Sequence, residues 1–513
     1  MTVADRLPVA SAPSPRPNPP GTVLIMMITV WFCTSFVLWI VSSNSYEVPQ
    51  YVKAVWLSVL LFSLGLLAAV TMSRPAKLVP SLTNLKLGPW FGVGFSIVFG
   101  LATLVWRTPV TNGSSSIVDV NQLVPAGVVV AVGLISVVIG YRLAPRMVIA
   151  AMDRLDRDLR GRAPTSPSTV AVLVLWMVGL AAIALQIRRG GFGYLSDPTL
   201  ALKTTGSSSA VIAAMASIGV LATLLAAWRH AKDPTFGTRA TLLGVAGSQV
   251  VLGLFSAGKE PVIVQMIAIF VGYGAWRRVR ILPLILAAGF VVLFVFPFVT
   301  QYRDAINERS ERLSPGQALA SIDYGGLVGA ATSTSSTDSA RSTSYRLTRI
   351  GDVAVILQKT PSTIAFKSPW DLAAGPILGL VPRTAWPGKP VLDAGYQMTS
   401  VYYDLPPSVH SSSALTPYGD LWRHGGMPAV MIGMLVLGGF MRAVDARSGD
   451  SGDDPRLLFL PMLLLVSLIK QEMDYLAFTA ALASILFATT VASRLVTATS
   501  TSEPKFEKVS PQF

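Results

Sequence analysis

Apolar runs of about 20 residues alternate with short polar breaks along most of the chain. A bilayer hydrocarbon core about 30 Å thick is crossed by about 20 helical residues, so this pattern predicts membrane-spanning helices. Twelve such runs can be marked: 22–42, 53–72, 88–106, 124–143, 168–188, 209–228, 239–256, 260–276, 281–299, 427–444, 456–471 and 474–496. The breaks at 256–260 and 470–474 are short and their flanking runs lie near the lower spanning limit, so re-entrant or broken helices are the alternative there. The expected fold class is an all-α polytopic membrane protein with about 12 transmembrane helices and one long extracytoplasmic loop containing short helices. Its expected parts are a disordered cytoplasmic N-terminus (1–21), helices one to nine (22–299), the long loop (300–426), helices ten to twelve (427–496) and a cytoplasmic tail (497–513).

The loop 300–426 is the one long departure from the apolar pattern. Within it, Ala331-Thr-Ser-Thr-Ser-Ser-Thr-Asp-Ser339 is polar without apolar period and reads as a flexible surface loop. Ser and Asp near 338 can then cap a helix running through Tyr345 to Gln358. The prolines of Gly375-Pro-Ile-Leu-Gly-Leu-Val-Pro-Arg-Thr-Ala-Trp-Pro-Gly-Lys-Pro390 argue against regular helix and for a rigid, extended turn.

Composition narrows the class. With 513 residues, 52% hydrophobic and only 13% charged, a soluble protein is excluded. The net charge of +14 would suggest a nucleic-acid partner in a soluble domain, but here much of it sits in the short breaks. There it reads as topogenic charge facing anionic headgroups, with no nucleic-acid partner. Arg74, Lys77, Lys86, Arg142, Arg146, Arg154, Arg157, Arg160, Arg162, Arg229, Lys232, Arg239, Arg277, Arg278, Arg280, Arg442, Arg447 and Arg456 fall on one side, against Lys53, Arg107, Arg188, Arg189, Lys203, Lys259 and Lys470 on the other. The richer side is cytoplasmic by the positive-inside bias, which puts both termini inside and the long loop outside. Met152-Asp-Arg-Leu-Asp-Arg-Asp-Leu-Arg160, on the inner side, alternates charge at helical spacing and reads as a solvated surface helix. Cys33 is the single cysteine, so neither an intrachain disulfide nor a cysteine metal cluster can form.

Chemistry-bearing residues gather on the outer side. Arg346 and Arg349, three apart on a helix, offer two guanidiniums to phosphate oxygens or else pair with Asp352 and its neighbours. Arg303 lies one turn beyond a span, as a phosphate ligand or a snorkelling boundary marker. Arg383 and Lys389 flank Trp386, which suits a sugar platform or an interfacial anchor. His410, Asp420, Arg423 and His424 collect where the chain re-enters the membrane, a density of titratable groups that marks a site. The turns Ser256-Ala-Gly-Lys-Glu-Pro261 and Lys470-Gln-Glu-Met-Asp-Tyr475 set opposite charges against the hydrocarbon. An unpaired charge there costs on the order of 2.5–3.5 kcal/mol, so they need partners, either each other in a Lys259–Glu472 type of clamp or the long loop.

The turn containing Lys259 and Glu260, the Val381-Pro-Arg-Thr-Ala-Trp-Pro-Gly-Lys-Pro390 stretch and the Tyr418-Gly-Asp-Leu-Trp-Arg-His-Gly-Gly426 return together resemble the Wzy-type polysaccharide repeat-unit polymerases, relatives of the O-antigen ligases. Asp420 stands where Glu is more usual in that family, and Arg423-His424 replaces the usual Asn-Phe. The resemblance implies a bacterial plasma-membrane glycosyltransferase that acts on a polyprenyl-pyrophosphate-linked oligosaccharide delivered by a flippase, with a chain-length regulator as a further partner. It implies polymerisation of repeat units, with ligase-like transfer to another acceptor as the nearest alternative and a 12-span transporter as the distant one. Under it, Arg303, Arg346, Arg349 and Arg383 face the pyrophosphate or glycan, while His410 or Asp420 is the base. Lys259, Glu260, Trp386, Lys389 and Arg423 complete the substrate contacts. No cofactor is expected, and the lack of an outward Asp-x-Asp cluster predicts a metal-independent reaction.

Overall fold

A computed structural model describes residues 29, 31–37, 50–73, 85–101, 120–160, 167–189, 207–256, 258–277, 286, 289–290, 295, 298–299, 301–302, 349–381, 386, 398–404, 415–446, 454–469 and 471–499. Among these the chain is helical, without a strand. The principal helices are α1 (Gln50–Met72), α2 (Leu87–Phe95, continued by a π turn Ser96–Leu101), α3 (Val120–Leu143), α4 (Arg146–Arg160) and α5 (Thr169–Arg188). They continue with α6 (Ser207–Ala216), α7 (Ile218–Lys232), α8 (Phe236–Phe255), α9 (Lys259–Gly274), α10 (Ile350–Lys359) and α11 (Trp370–Leu380). The last four are α12 (Thr416–Arg423), α13 (Gly426–Asp445), α14 (Phe459–Leu468) and α15 (Tyr475–Thr499).

Seven helical stretches among the described residues are long and apolar enough to cross a membrane: Val52–Met72, Gln122–Leu143, Thr169–Arg188, Val211–Lys232, Phe236–Phe255, Gly426–Asp445 and Tyr475–Thr499. Leu87–Leu101 and Pro455–Leu468 are apolar but shorter. The expected runs at 22–42 and 281–299 lie largely outside the described residues, as do most of the two expected tails. Large apolar side chains stay exposed along the spans, among them Val128 and Ile135 of α3, Leu173 and Met177 of α5, and Ile432 and Val436 of α13. Such faces suit a hydrocarbon surrounding rather than water.

Two helix groups meet on α15. The first packs α1, α2, α3, α13 and α14 together, the second α5 to α9, and α15 touches α5, α6 and α7 as well as α4, α12 and α14. Small residues set the closest crossings. A Cβ on Gly140 would fall against the Leu435 carbonyl, and one on Gly438 against the Val137 carbonyl, so α3 and α13 touch backbone to backbone. At the C-terminal end of α13, buried Asp445 accepts from the Leu87 and Gly88 N–H groups at 2.6 and 2.9 Å and from the Tyr141 hydroxyl at 2.8 Å. That carboxylate satisfies free N–H groups at the start of α2 and ties three helices at one end of the bundle.

Of two expectations for the segment between the spans, one is met over the described residues and one is corrected. Of the helix expected over 345–358, the part from Ile350 to Gln358 is helical, within α10, which runs to Lys359 with Arg349 at its cap, and 345–348 lie outside the described residues. The stretch from Gly375 expected to be extended is helical as far as Leu380, with Pro376 inside α11. The reason is tertiary: α11 lies along α15, with Gly375 against Thr479 and Gly379 against the Ala480 carbonyl. That packing outweighs the one hydrogen bond that proline removes, while the later prolines at 382, 387 and 390 lie beyond the helix end.

Candidate functional site

The site forms where two short helices, α10 and α12, meet the turn between α14 and α15. α12 is wedged among α3, α10, α13 and α15. It opens on Thr416, whose backbone sits at φ 54° and whose Oγ1 accepts the Gly419 N–H at 3.1 Å, with Pro417 in its first turn. It ends at Arg423, and Gly426, whose φ of +63° favours glycine, starts α13 two residues beyond the His424 cap.

Three turns of sequence logic converge in α12. Asp420 is fully buried; its Oδ1 accepts from Arg423 Nε at 2.7 Å, the i,i+3 pair of one helical face. Its Oδ2 accepts from the Leu476 N–H at 3.0 Å, across at the start of α15. His424 Nδ1 lies 2.7 Å from the Asp420 carbonyl oxygen. A carbonyl only accepts, so Nδ1 carries the proton and the neutral ring keeps its lone pair on Nε2. Arg423 Nη2 stands 3.8 Å from Oδ1 of Asp474, which is itself buried. Lys367 joins from the segment after α10, its backbone N–H donating to the Arg423 carbonyl at 2.8 Å.

Asp420 and Asp474 both approach the Arg423 guanidinium in a dry site, where two neighbouring carboxyls push their ionisations apart. Burial pushes Asp474 well above the usual carboxylate range, and the neighbouring Asp420 charge adds to it. Burial also pushes Asp420 up. Arg423 foremost, with the hydrogen bond from the Leu476 N–H, outweighs that and holds it below its ordinary value. Burial lowers His424 despite Asp420, and Arg423 and Lys367 lower it further, which keeps the ring neutral. Lys367 is likewise lowered by burial and by Arg423.

The turn 471–474 is two-handed. While Asp474 reaches α12, Glu472 reaches α10: its Oε1 accepts from Arg349 Nη2 at 2.8 Å and Nε at 3.1 Å. Arg349 Nη1 pairs with Asp352 Oδ2 at 3.1 Å, and Asp352 Oδ1 accepts from the Tyr403 hydroxyl. Gln471, with φ 55°, is buried between Tyr418, whose hydroxyl donates to its Oε1, and the Phe91 carbonyl, which accepts from its Nε2, each at 3.3 Å. Each acid on the turn therefore meets an arginine on a different short helix.

Of the residues singled out from sequence, Asp420, Arg423 and His424 come together, and Arg349 joins them through Glu472. Arg349 takes the pairing alternative, with its guanidinium between two carboxylates. Lys259 and Glu260 open α9, which packs on α7 and α8. Trp386 is exposed. Arg303, Arg346, Arg383, Lys389 and His410 lie outside the described residues. The sequence reading missed the Asp420–Asp474 pair and the approach of Lys367. Its one signal was the acidic turn 470–474, which needed a partner at the membrane edge. Among the described residues no three His, Cys, Asp or Glu side chains gather as a metal-holding group.

Residues 198–449, just under half of the chain, match a family model described as a domain of unknown function (DUF8712). That span includes α6 to α13 and Arg349, Asp420, Arg423 and His424, and stops short of the turn that carries Glu472 and Asp474. No curated protein and no solved structure matches the chain.

Proposed function

We propose that this protein is a membrane glycosyltransferase that polymerises polyprenyl-pyrophosphate-linked oligosaccharide units on the outer face of a plasma membrane. The observation that supports it is the buried Asp420–Arg423–Asp474 cluster with neutral His424, set where the spans α13 and α15 begin. A lipid-linked donor presents its pyrophosphate at the membrane edge, and in this reading that is where the Arg423 guanidinium and Lys367 stand beside two buried carboxyls. In this reading twelve spans enclose the chain, both termini face the cytoplasm, and 300–426 is an extracytoplasmic cover. Arg423 and Lys367 stabilise the charge that grows on the departing phosphate oxygen in a partly dry site. The reaction joins an acceptor hydroxyl oxygen to the donor's anomeric carbon as the bond from that carbon to the pyrophosphate oxygen breaks. The motifs from 256 to 426 that resemble repeat-unit polymerases support the same reading.

Purified protein incubated with carrier-linked repeat units tests it. A ladder of lengthened, carrier-linked products is expected. One transfer to a different acceptor would make the protein a ligase, and the absence of any glycosyl transfer would overturn the reading.

A further inference from the structure

The end of the bundle away from the candidate site carries α4, a helix that is not a span. α13 and α15 both begin beside Asp420 and Asp474, so both finish at the opposite end, and the Tyr141 hydroxyl on Asp445 brings the end of α3 there too. α4 follows α3 after a two-residue link, Ala144-Pro145, which holds its first Cα within about 11 Å of the last residue of that span. It packs against α13 and α15. Near its other end the Asp158 carbonyl accepts from Arg494 Nη2 at 3.1 Å, within the last two turns of α15. Tied to α3 at its start and to α15 near its finish, α4 lies across this end of the bundle.

Helical periodicity sorts the described side chains of α4 onto four sides. Ile149 and Met152, three apart, are half-buried, and Met152 packs on the core, which marks the side turned to the bundle. Arg146, Ala150, Asp153 and Arg157 recur at steps of four, three and four and make one exposed flank. Val148, Ala151 and Leu155 make the other, also exposed but wholly apolar. Met147, which is 83% exposed, points away from the bundle with Arg154 and Asp158. A solvated helix turns its apolar side to the protein it packs on. Here a second apolar direction stands about a quarter-turn from the packed side and opposite the charged flank. The exposed apolar positions of α3, Val128, Ile135, Ile139 and Leu143, recur at steps of seven, four and four and mark its lipid-facing side. Met147 and Val148 carry that exposed apolar surface on past the span.

We propose that α4 is seated in the bilayer interface, with Val148, Ala151 and Leu155 turned into the acyl boundary and its charged flank at the level of the phospholipid phosphates. The occupant of the apolar flank is lipid because the flank continues the lipid-facing surface of α3 and begins where that span leaves the hydrocarbon. The charges fit the same depth. Arg154 on the outward side and Arg146 and Arg157 on the charged flank can lay their stems along apolar surface and set their guanidiniums on phosphate oxygens, which suit the planar fork. So seated, α4 fixes the ends of α3, α13 and α15 at one depth. The charge alternation that reads as a solvated helix in the sequence is then the water-facing half of an interfacial one. This seat is independent of the reaction at the other end of the bundle.

Two neighbouring alanines on opposite flanks supply the test. In full-length protein with Cys33→Ser as background, Ala150→Cys, Ala151→Cys and Leu155→Cys are each labelled with a nitroxide and reconstituted into vesicles of phosphatidylcholine and phosphatidylglycerol. Electron paramagnetic resonance power saturation then compares collisions with oxygen, which concentrates in the acyl region, and with a water-soluble nickel chelate. The ratio of oxygen to nickel collisions should be several-fold higher at Ala151→Cys and Leu155→Cys than at Ala150→Cys. Ala151→Cys and Leu155→Cys report on the same flank, so either carries the test if the other does not fold. A nickel chelate that reaches both flanks equally would make α4 a solvated helix and overturn the proposal. Exclusion of both reagents from Ala151→Cys and Leu155→Cys would mean that protein covers the flank, and an oxygen-rich Ala150→Cys would mean a helix immersed on all sides; each overturns it as well.

Discussion

Arg423 compensates two acids at once, and its removal would leave Asp420 and Asp474 buried beside each other without a cation bonded between them. Breaking a buried ion pair by deleting one partner costs about 3–5 kcal/mol. Arg423→Gln is therefore expected to lower the thermal unfolding midpoint in detergent markedly, while Arg423→Lys, lacking the planar fork, recovers only part. The pair also sets a pH dependence with a definite sign. Asp474 is raised in the folded protein, so it stabilises the fold fully below the ordinary carboxylate range and loses that contribution as pH rises through its folded value. Asp420 is depressed, so its contribution is present above the ordinary range and is lost as pH falls through its folded value. Unfolding midpoints of the wild type should fall as pH rises above the ordinary carboxylate range, and that fall should flatten in Asp474→Asn.

At the scale of elements, the site depends on how short helices are held rather than on their own propensity. α10 and α12 have 10 and 8 residues, below the length at which an isolated helix persists in water, and both are fixed by burial among the spans. Arg349 joins α10 to the turn 471–474, so Arg349→Ala should slow elongation at least about tenfold, mainly through kcat, because that turn also sets Asp474 against Arg423. A retained rate would detach α10 from the site. The tight α3–α13 crossing gives a purely structural control. Gly438→Val drives side-chain atoms into the Val137 carbonyl and should destabilise the protein by about 1–3 kcal/mol, read as a lower unfolding midpoint. An unchanged midpoint would mean the two helices can separate there without loss.

For the whole molecule, α13 links two buried acid clusters at its opposite ends. Asp420 and Asp474 lie with Arg423 near its start, and Asp445 lies at its finish with Tyr141 and the start of α2. Twenty helical residues separate them by about 30 Å, the thickness of a bilayer core. The proposed orientation puts the first cluster outside and the second inside. With Cys33→Ser as background, Trp370→Cys at the exposed start of α11 should react with an impermeant thiol reagent on intact cells, and Asp158→Cys on α4 only after lysis. The reverse pattern would invert the topology and place the cluster away from an extracytoplasmic substrate.

Hydropathy alone was enough to mark the helical membrane class and the positions of the seven long apolar helices, because a span answers mainly to the solvent around it. The i,i+3 relation of Asp420 and Arg423 was legible for the same reason, since one helical turn brings them together. The helical state of Gly375 to Leu380 was not, because it depends on the surface that α15 presents to α11. Nor was the partner of Asp420. Asp474 is 54 residues farther along the chain, and local rules would have spent its carboxylate on capping α15. Packing α12 against the start of α15 gave that cap to Asp420 and left Asp474 with an unpartnered oxygen, a choice made by contacts between distant segments and by no pattern within either.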